Sequence, residues 1–206
     1  MKNICIEGNI GAGKTTMAKL LAKELGADLI LEEFEENYLL PLFYKEPGTY
    51  AFAVEYSFLL DRFRQLKKLE AETAHSLTVS DYYIEKCLYF AKVNLQEEEY
   101  ALFEKTYYNL LKTLRQPDLL IYFHFDPKLL KENIKKRNRN FESAIEEHYL
   151  EKVNMQYNYF SAKERAFQVI NFHLKTNSPE NYTRVFHEIL SVLKHGSSAK
   201  WMNIEV

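Results

Sequence analysis

Cysteine is nearly absent from this chain of 206 residues: Cys5 and Cys87 are the two present, without C-x-x-C spacing. They supply neither a disulfide framework nor a zinc site, and the expected compartment is the reducing cytoplasm. Long apolar runs are missing as well, so no membrane span is expected. The first residues enter a strand pattern and lack the basic and apolar regions of a signal peptide. An excess of one charge is also missing, since 27 basic residues stand against 29 acidic ones. That balance argues against a protein that coats nucleic acid or a membrane surface, and it favours small-molecule substrates. There are no internal repeats and no low-complexity tracts. Glycine is scarce too, yet three of the six glycines fall between Gly8 and Gly13.

Those three glycines belong to the string IEGNIGAGKTT, Ile6 to Thr16, which contains G-x-x-x-x-G-K-T from Gly8 to Thr15. Asn3 to Ile6 reads as a buried strand and Thr15 to Leu25 as a helix. Strand, glycine-rich loop and helix together are the arrangement that confirms a phosphate loop. The expected ligand set is Gly8, Asn9, Ile10, Gly11, Ala12, Gly13, Lys14, Thr15 and Thr16, with backbone NH groups turned toward phosphate oxygens at a helix N-terminus. Lys14 is expected to reach the β- and γ-phosphates, and the Thr15 hydroxyl to bind Mg2+.

Further strand-like runs at Asp28 to Leu31, Ser76 to Val79, Leu119 to Phe125 and Phe167 to Phe172 alternate with helical segments. The pattern predicts an α/β fold with a five-stranded parallel sheet between helices, and ligands at the carboxyl ends of the strands. One domain over residues 1–195 and a fraying tail over 196–206 are expected. The longest helix is predicted from Thr49 to about Thr73, with Phe52, Tyr56, Leu59, Leu60, Phe63 and Leu66 at helical spacing. Asp126-Pro127 should open another helix, where proline is tolerated in the first turn.

A phosphate loop alone does not separate ATPases, GTPases and small-molecule kinases. Glu32 and Glu33 follow the second strand, where a carboxylate could take the proton of an attacking hydroxyl. Equally, Glu32, Glu33, Glu35 and Glu36 could form a solvated acidic loop. Arg137, Arg139 and Glu142 follow the helix after the fourth strand. Arginines there could neutralise transition-state charge, or simply complement the dipole of a helix C-terminus. Asp81 follows the third strand, where it could position magnesium.

At this point the chain resembles the deoxynucleoside kinases, from IEGNIGAGKTT through PDLLIYFHFDPKLLKENIKKRNR to YLEKVN. The resemblance implies a P-loop kinase fold with a short arginine-bearing lid and a homodimer through the long helices. It also implies ATP-dependent transfer of the γ-phosphoryl group to the 5'-hydroxyl of a deoxyribonucleoside. It makes Glu32 the general base, Arg137 and Arg139 phosphate ligands, and Glu142 and Tyr44 partners of the sugar 3'-hydroxyl. Phe90 is implied to stack on the base, although unaided it reads as a core aromatic. Two departures stand out. Glu55 occupies the place of a glutamine that pairs with the base, and a carboxylate accepts but cannot donate. A carboxylate suits the two adjacent donors of guanine, unless a cation such as Arg62 pairs with it; the expected substrate is a purine deoxynucleoside. The family also has an acidic residue followed by arginine after the third strand. Here Ser80 or Asp81 takes the acidic place, Asp81 being the better magnesium ligand. No arginine follows, and Lys86 is the candidate to restore the charge. The competing expectations are a thymidylate-type monophosphate kinase and a nucleotide-binding subunit that has lost catalysis.

Overall fold

The structure, a computed structural model, describes residues 3–33, 37–72, 76–139, 142, 144–195 and 200–206. Glu35 and Glu36 of the acidic loop, Thr73 at the predicted helix end and residues 196–199 of the predicted tail lie outside them. Among the described residues six strands alternate with eight helices. They are β1 (Asn3–Gly8), α1 (Lys14–Leu25), β2 (Asp28–Ile30), α2 (Leu39–Lys45), α3 (Pro47–Glu72), β3 (Thr78–Ser80) and α4 (Lys86–Asn94). Then come α5 (Glu97–Leu111), β4 (Leu119–Phe125), α6 (Pro127–Arg137), α7 (Glu147–Ser161), β5 (Gln168–Leu174), α8 (Pro179–His195) and β6 (Trp201–Glu205).

The strands lie side by side in the order β2-β3-β1-β4-β5-β6. Every pair is parallel, with Cys5 opposite Ser80 on one side and Leu120 on the other. Chain direction across the sheet reverses between β1 and β3, because β1 leads outward to β2 while β3 leads back to β4. A crevice opens at such a switch point, at the carboxyl ends of the strands.

Strand side chains alternate between the two faces of the sheet. Ile4, Ile6, Ile121, Phe123, Ile170 and Phe172 pack against Met17 and Leu21 of α1 and Val185 and Ile189 of α8. Cys5, Leu120, Tyr122 and Val169 face α3, α4, α5 and α7, through residues such as Val54, Leu59, Leu88, Phe103 and Val153. Each buried Ile, Leu or Phe contributes about 1.5–3 kcal/mol, and these two layers hold the strand ends in place. Both cysteines are free and buried, in a strand and a helix as their surroundings predict.

The sheet has one strand more than the five expected. Trp201 to Glu205, part of the stretch expected to fray, pairs along β5 from Val169 to His173. Met202 and Ile204 turn onto the core, Val206 is buried, and the Trp201 indole NH donates to Ser161 O at 3.2 Å. Other boundaries differ by a residue or two. At α6 the Asp126 carboxylate caps the Lys128 NH at 2.9 Å and Pro127 opens the helix, as that dipeptide predicts.

Candidate active site

The phosphate loop joins β1 to α1, and its shape depends on glycine. Gly13 stands at the N-cap of α1 with φ 76°, and a Cβ there would lie 1.6 Å from the Tyr182 hydroxyl. That hydroxyl donates to Ala12 O at 2.9 Å, so α8 presses directly on the loop. From α6, the Asn133 amide donates to Gly11 O at 2.9 Å. Asn9 is buried, and its side chain serves the scaffold. Its amide donates to Leu150 O and Asn154 Oδ1 on α7, while its Oδ1 accepts from the Ile10 NH. Lys14 folds back over the loop, donating to Gly8 O at 2.8 Å and Asn9 O at 3.0 Å. Burial, and secondarily the charge of Lys86, lower its pKa to about 8.

Beside the loop, β3 delivers Asp81. Its Oδ2 accepts from the Thr15 hydroxyl at 2.5 Å, and its Oδ1 accepts from the Glu32 NH at 2.8 Å. Ser80 turns away and donates to Tyr82 O. Asp81, not Ser80, therefore faces the loop, and it ties the start of α1 and the chain after β2 to the end of β3. Thr15 and Asp81 set two hard oxygen donors side by side. This suits a magnesium ion that keeps its remaining positions for phosphate and water.

Glu32 lies at the end of β2, between two cations. The Arg62 guanidinium donates to its Oε1 at 2.5 and 3.0 Å, and Lys86 Nζ donates to its Oε2 at 2.6 Å. All three side chains are nearly enclosed. Burial works to raise the carboxyl pKa, but Lys86 and Arg62 together outweigh it and hold Glu32 well below the usual carboxylate range. Lys86 thus brings the positive charge for which the sequence offered no arginine. Arg62, the alternative partner considered for Glu55, belongs to Glu32. Glu33 is exposed and does not join this group.

The second carboxylate sits further along the same helices. Glu55 precedes Arg62 by seven residues on α3, about 10 Å along the axis, and Asn94 follows Lys86 by eight on α4, about 12 Å. Arg62 and Lys86 meet at Glu32, whereas Glu55 and Asn94 meet each other. The Asn94 amide donates to Glu55 Oε1 at 2.7 Å and to the Tyr149 hydroxyl of α7 at 3.1 Å. Glu55 Oε2 is buried and has no hydrogen-bond partner among the described residues. Desolvation raises the Glu55 pKa to about 7, against smaller opposing effects from Asn94, Arg62 and Lys86.

A single cavity joins the two clusters. Its lining includes Ile10, Lys14 and Thr15 of the loop, then Glu32, Arg62, Asp81 and Lys86, and then Tyr44, Glu55, Phe90, Asn94 and Tyr149. Phe90 is half-buried, with Lys86 Nζ 5.7 Å from the centre of its ring. Arg137, Arg139 and Glu142 complete the wall. Arg137 forks onto Glu142 at 2.6 and 2.9 Å, and Arg139 lies 3.5 Å from the same carboxylate. The six other predicted loop residues, Gly8, Asn9, Gly11, Ala12, Gly13 and Thr16, are not part of this lining. Asn94 and Tyr149 had not been anticipated. The first was legible, since Lys86, Phe90 and Asn94 recur every four residues and so share one face of a helix.

A family model described as deoxynucleoside kinase matches residues 4–194. The chain is 36% identical over 159 residues to a deoxyguanosine kinase of Bacillus subtilis, covering 75% of each chain. It is 34% identical over 163 residues to a deoxyadenosine kinase of Dictyostelium discoideum, covering 77% of this chain and 66% of that one. Among solved structures, deoxyadenosine kinase from M. mycoides, with products dCMP and a flexible dCDP bound, superposes with a TM-score of 0.81 and 28% identity. That match covers 94% of this chain and 99% of the other. With the phosphate loop, Glu32 at the end of β2 and these relatives in agreement, the chain belongs to the deoxynucleoside kinase family.

Proposed function

We propose that the chain transfers the γ-phosphoryl group of ATP to the 5'-hydroxyl of a purine deoxyribonucleoside. The observation that carries this reading is the continuity of one cavity from Lys14 and Thr15, past Glu32, to Phe90 and Glu55. The roughly 10 Å from the Glu32 cluster to the Glu55 cluster along α3 suits a nucleoside laid lengthwise. Its base would face Glu55 and Asn94 and stack on Phe90, its 3'-hydroxyl would meet Tyr44 and Glu142, and its 5'-hydroxyl would meet Glu32.

In this reading Glu32 accepts the proton of the 5'-hydroxyl. A carboxylate held ionised by Arg62 and Lys86 is always available but weakly basic. That is adequate for phosphoryl transfer, whose loose transition state depends mainly on positioning and charge neutralisation. Lys14 and the loop NH groups hold the donor phosphates, and phosphate binding favours the charged form of Lys14. Arg137 and Arg139 add positive charge against the transferring group. Thr15 and Asp81 would hold Mg2+, which when bound neutralises charge on the β- and γ-phosphates. A monophosphate acceptor would need cations that Glu32 already occupies, which disfavours the thymidylate-type reading.

We propose further that two copies pair through α5 and α7, whose outer faces expose Leu102, Tyr108, Met155 and Tyr159. Contiguous apolar patches mark protein contacts, and these side chains would supply one. No described helix is long and apolar enough to cross a membrane. Small-molecule substrates, no bound nucleic acid and a cytoplasmic setting complete the reading. The test is steady-state transfer from Mg-ATP to the four deoxynucleosides, their ribonucleosides and the deoxynucleoside monophosphates. Turnover on purine deoxynucleosides is expected. Turnover confined to monophosphates would replace the reading, and ATP binding without turnover would favour the non-catalytic subunit.

A further inference from the structure

We propose that Glu55 selects the base through its protonation state, pairing as a neutral carboxyl with adenine or cytosine and as a carboxylate with guanine. This deepens the deoxynucleoside kinase reading and rests on it. Oε1 already accepts from Asn94 at 2.7 Å and keeps one lone pair, while Oε2 is buried with no hydrogen-bond partner among the described residues. Glu55 is 3% exposed and lines the cavity shared with Phe90, so Oε2 is an unmet polar atom in the wall where a base would lie. An unpaired buried carboxylate oxygen carries a desolvation cost until a ligand or a proton relieves it.

Chemistry supplies the two forms of relief. A neutral carboxyl presents one acceptor and one OH donor, matching a glutamine amide. With the proton on Oε2, the OH can donate to a ring nitrogen while Oε1 accepts from the adjacent amino group, as adenine and cytosine require. A carboxylate presents two acceptors, which match the ring NH and the amino group of guanine.

The surroundings leave the choice open. On α3, the nearby cation Arg62 is committed to Glu32, as is Lys86 on α4. Asn94 and the buried thiol of Cys87 approach from α4, and the Tyr149 hydroxyl approaches from α7. Tyr44 faces Glu55 from α2, and Arg137 with its partner Glu142 closes the wall beyond. Among the described residues no cation forms an ion pair with Glu55. Burial moves the carboxyl to about 7, so both forms are populated near neutrality.

The test compares deoxyguanosine with deoxyadenosine as acceptors across pH. Groups shared by the two reactions cancel in the ratio of their kcat/KM values. From about pH 6 to about pH 8 the ratio should rise in favour of deoxyguanosine, with a ceiling of roughly a hundredfold. Glu55→Gln fixes the donor-acceptor pair, so it should favour deoxyadenosine and give a flat ratio. Titration calorimetry of the unaltered protein in buffers of different ionisation enthalpy is independent of turnover and of how the variant folds. Near pH 7, proton uptake with deoxyadenosine and proton release with deoxyguanosine are expected. Opposite proton exchange without turnover would keep the proposal and remove the kinase reading. Equal proton exchange for the two nucleosides, or a pH-dependent ratio that persists in Glu55→Gln, would overturn it.

Discussion

Glu32 and Glu55 are the same residue type, both largely enclosed, and Arg62, which pairs with Glu32, lies about 10 Å along α3 from Glu55. Their neighbours set them in opposite states. Glu32 receives Arg62 and Lys86, so its charge is neutralised twice and it stays ionised. Glu55 receives an uncharged amide on one oxygen and, among the described residues, no partner on the other, so burial governs it. A site that uses one carboxylate to take a proton and another to read a base needs this separation. The antiparallel register of α3 and α4 achieves it, by placing both cations at one rung and Glu55 with Asn94 at the other.

The sharpest way to break the comparison is Glu32→Gln, which removes the proton acceptor but keeps the shape. Turnover on the best deoxynucleoside should fall by about a hundredfold or more, with ATP binding retained in a fluorescence titration. Lys86→Met should have a smaller effect. With one of its cations gone, Glu32 rises toward its ordinary pKa of 4.5, so kcat should fall on acidification where the unaltered protein holds its rate. A pH profile of kcat checks the direction.

Asn94→Leu acts at the other rung. Its amide lowers the Glu55 pKa, so its loss should move the crossover between deoxyguanosine and deoxyadenosine preference to higher pH. A separate effect is expected on stability. Because the Glu55 pKa is raised from 4.5 to about 7, the folded chain keeps a proton that the unfolded chain has lost within that window. Stability therefore falls as pH rises from 4.5 to 7 and stays low above. Glu55→Gln should recover at most about 3 kcal/mol at about pH 8 and little at about pH 4, read by denaturant unfolding at the two pH values.

Much of this arrangement was legible in the chain itself. The loop from Gly8 to Thr15 declared its geometry locally, because strand, glycines and helix are neighbours in sequence. Asp81 followed from its place after an apolar run. The partner of Arg62 did not follow, since Glu32 lies 30 residues away and only the packing of α3 against the end of β2 joins them. The pairing of Arg137 and Arg139 with Glu142 was hidden differently: the spacing was visible, but spacing does not reveal whether charges face one another or a ligand. The sixth strand was missed because the polar Asn203 and Glu205 point outward and break up the apolar residues, as suits an edge strand that is covered on one face. Its place follows from β5, which offers a free edge to whatever chain comes next.

The most direct measurement is a carboxyl-carbon NMR titration of protein labelled at glutamate, with Glu55→Gln and Glu32→Gln used to assign the two resonances. The Glu55 signal should titrate near 7, and Glu32 should stay ionised throughout the range in which the protein is folded. Two carboxylates titrating together near 4.5 would contradict both expectations.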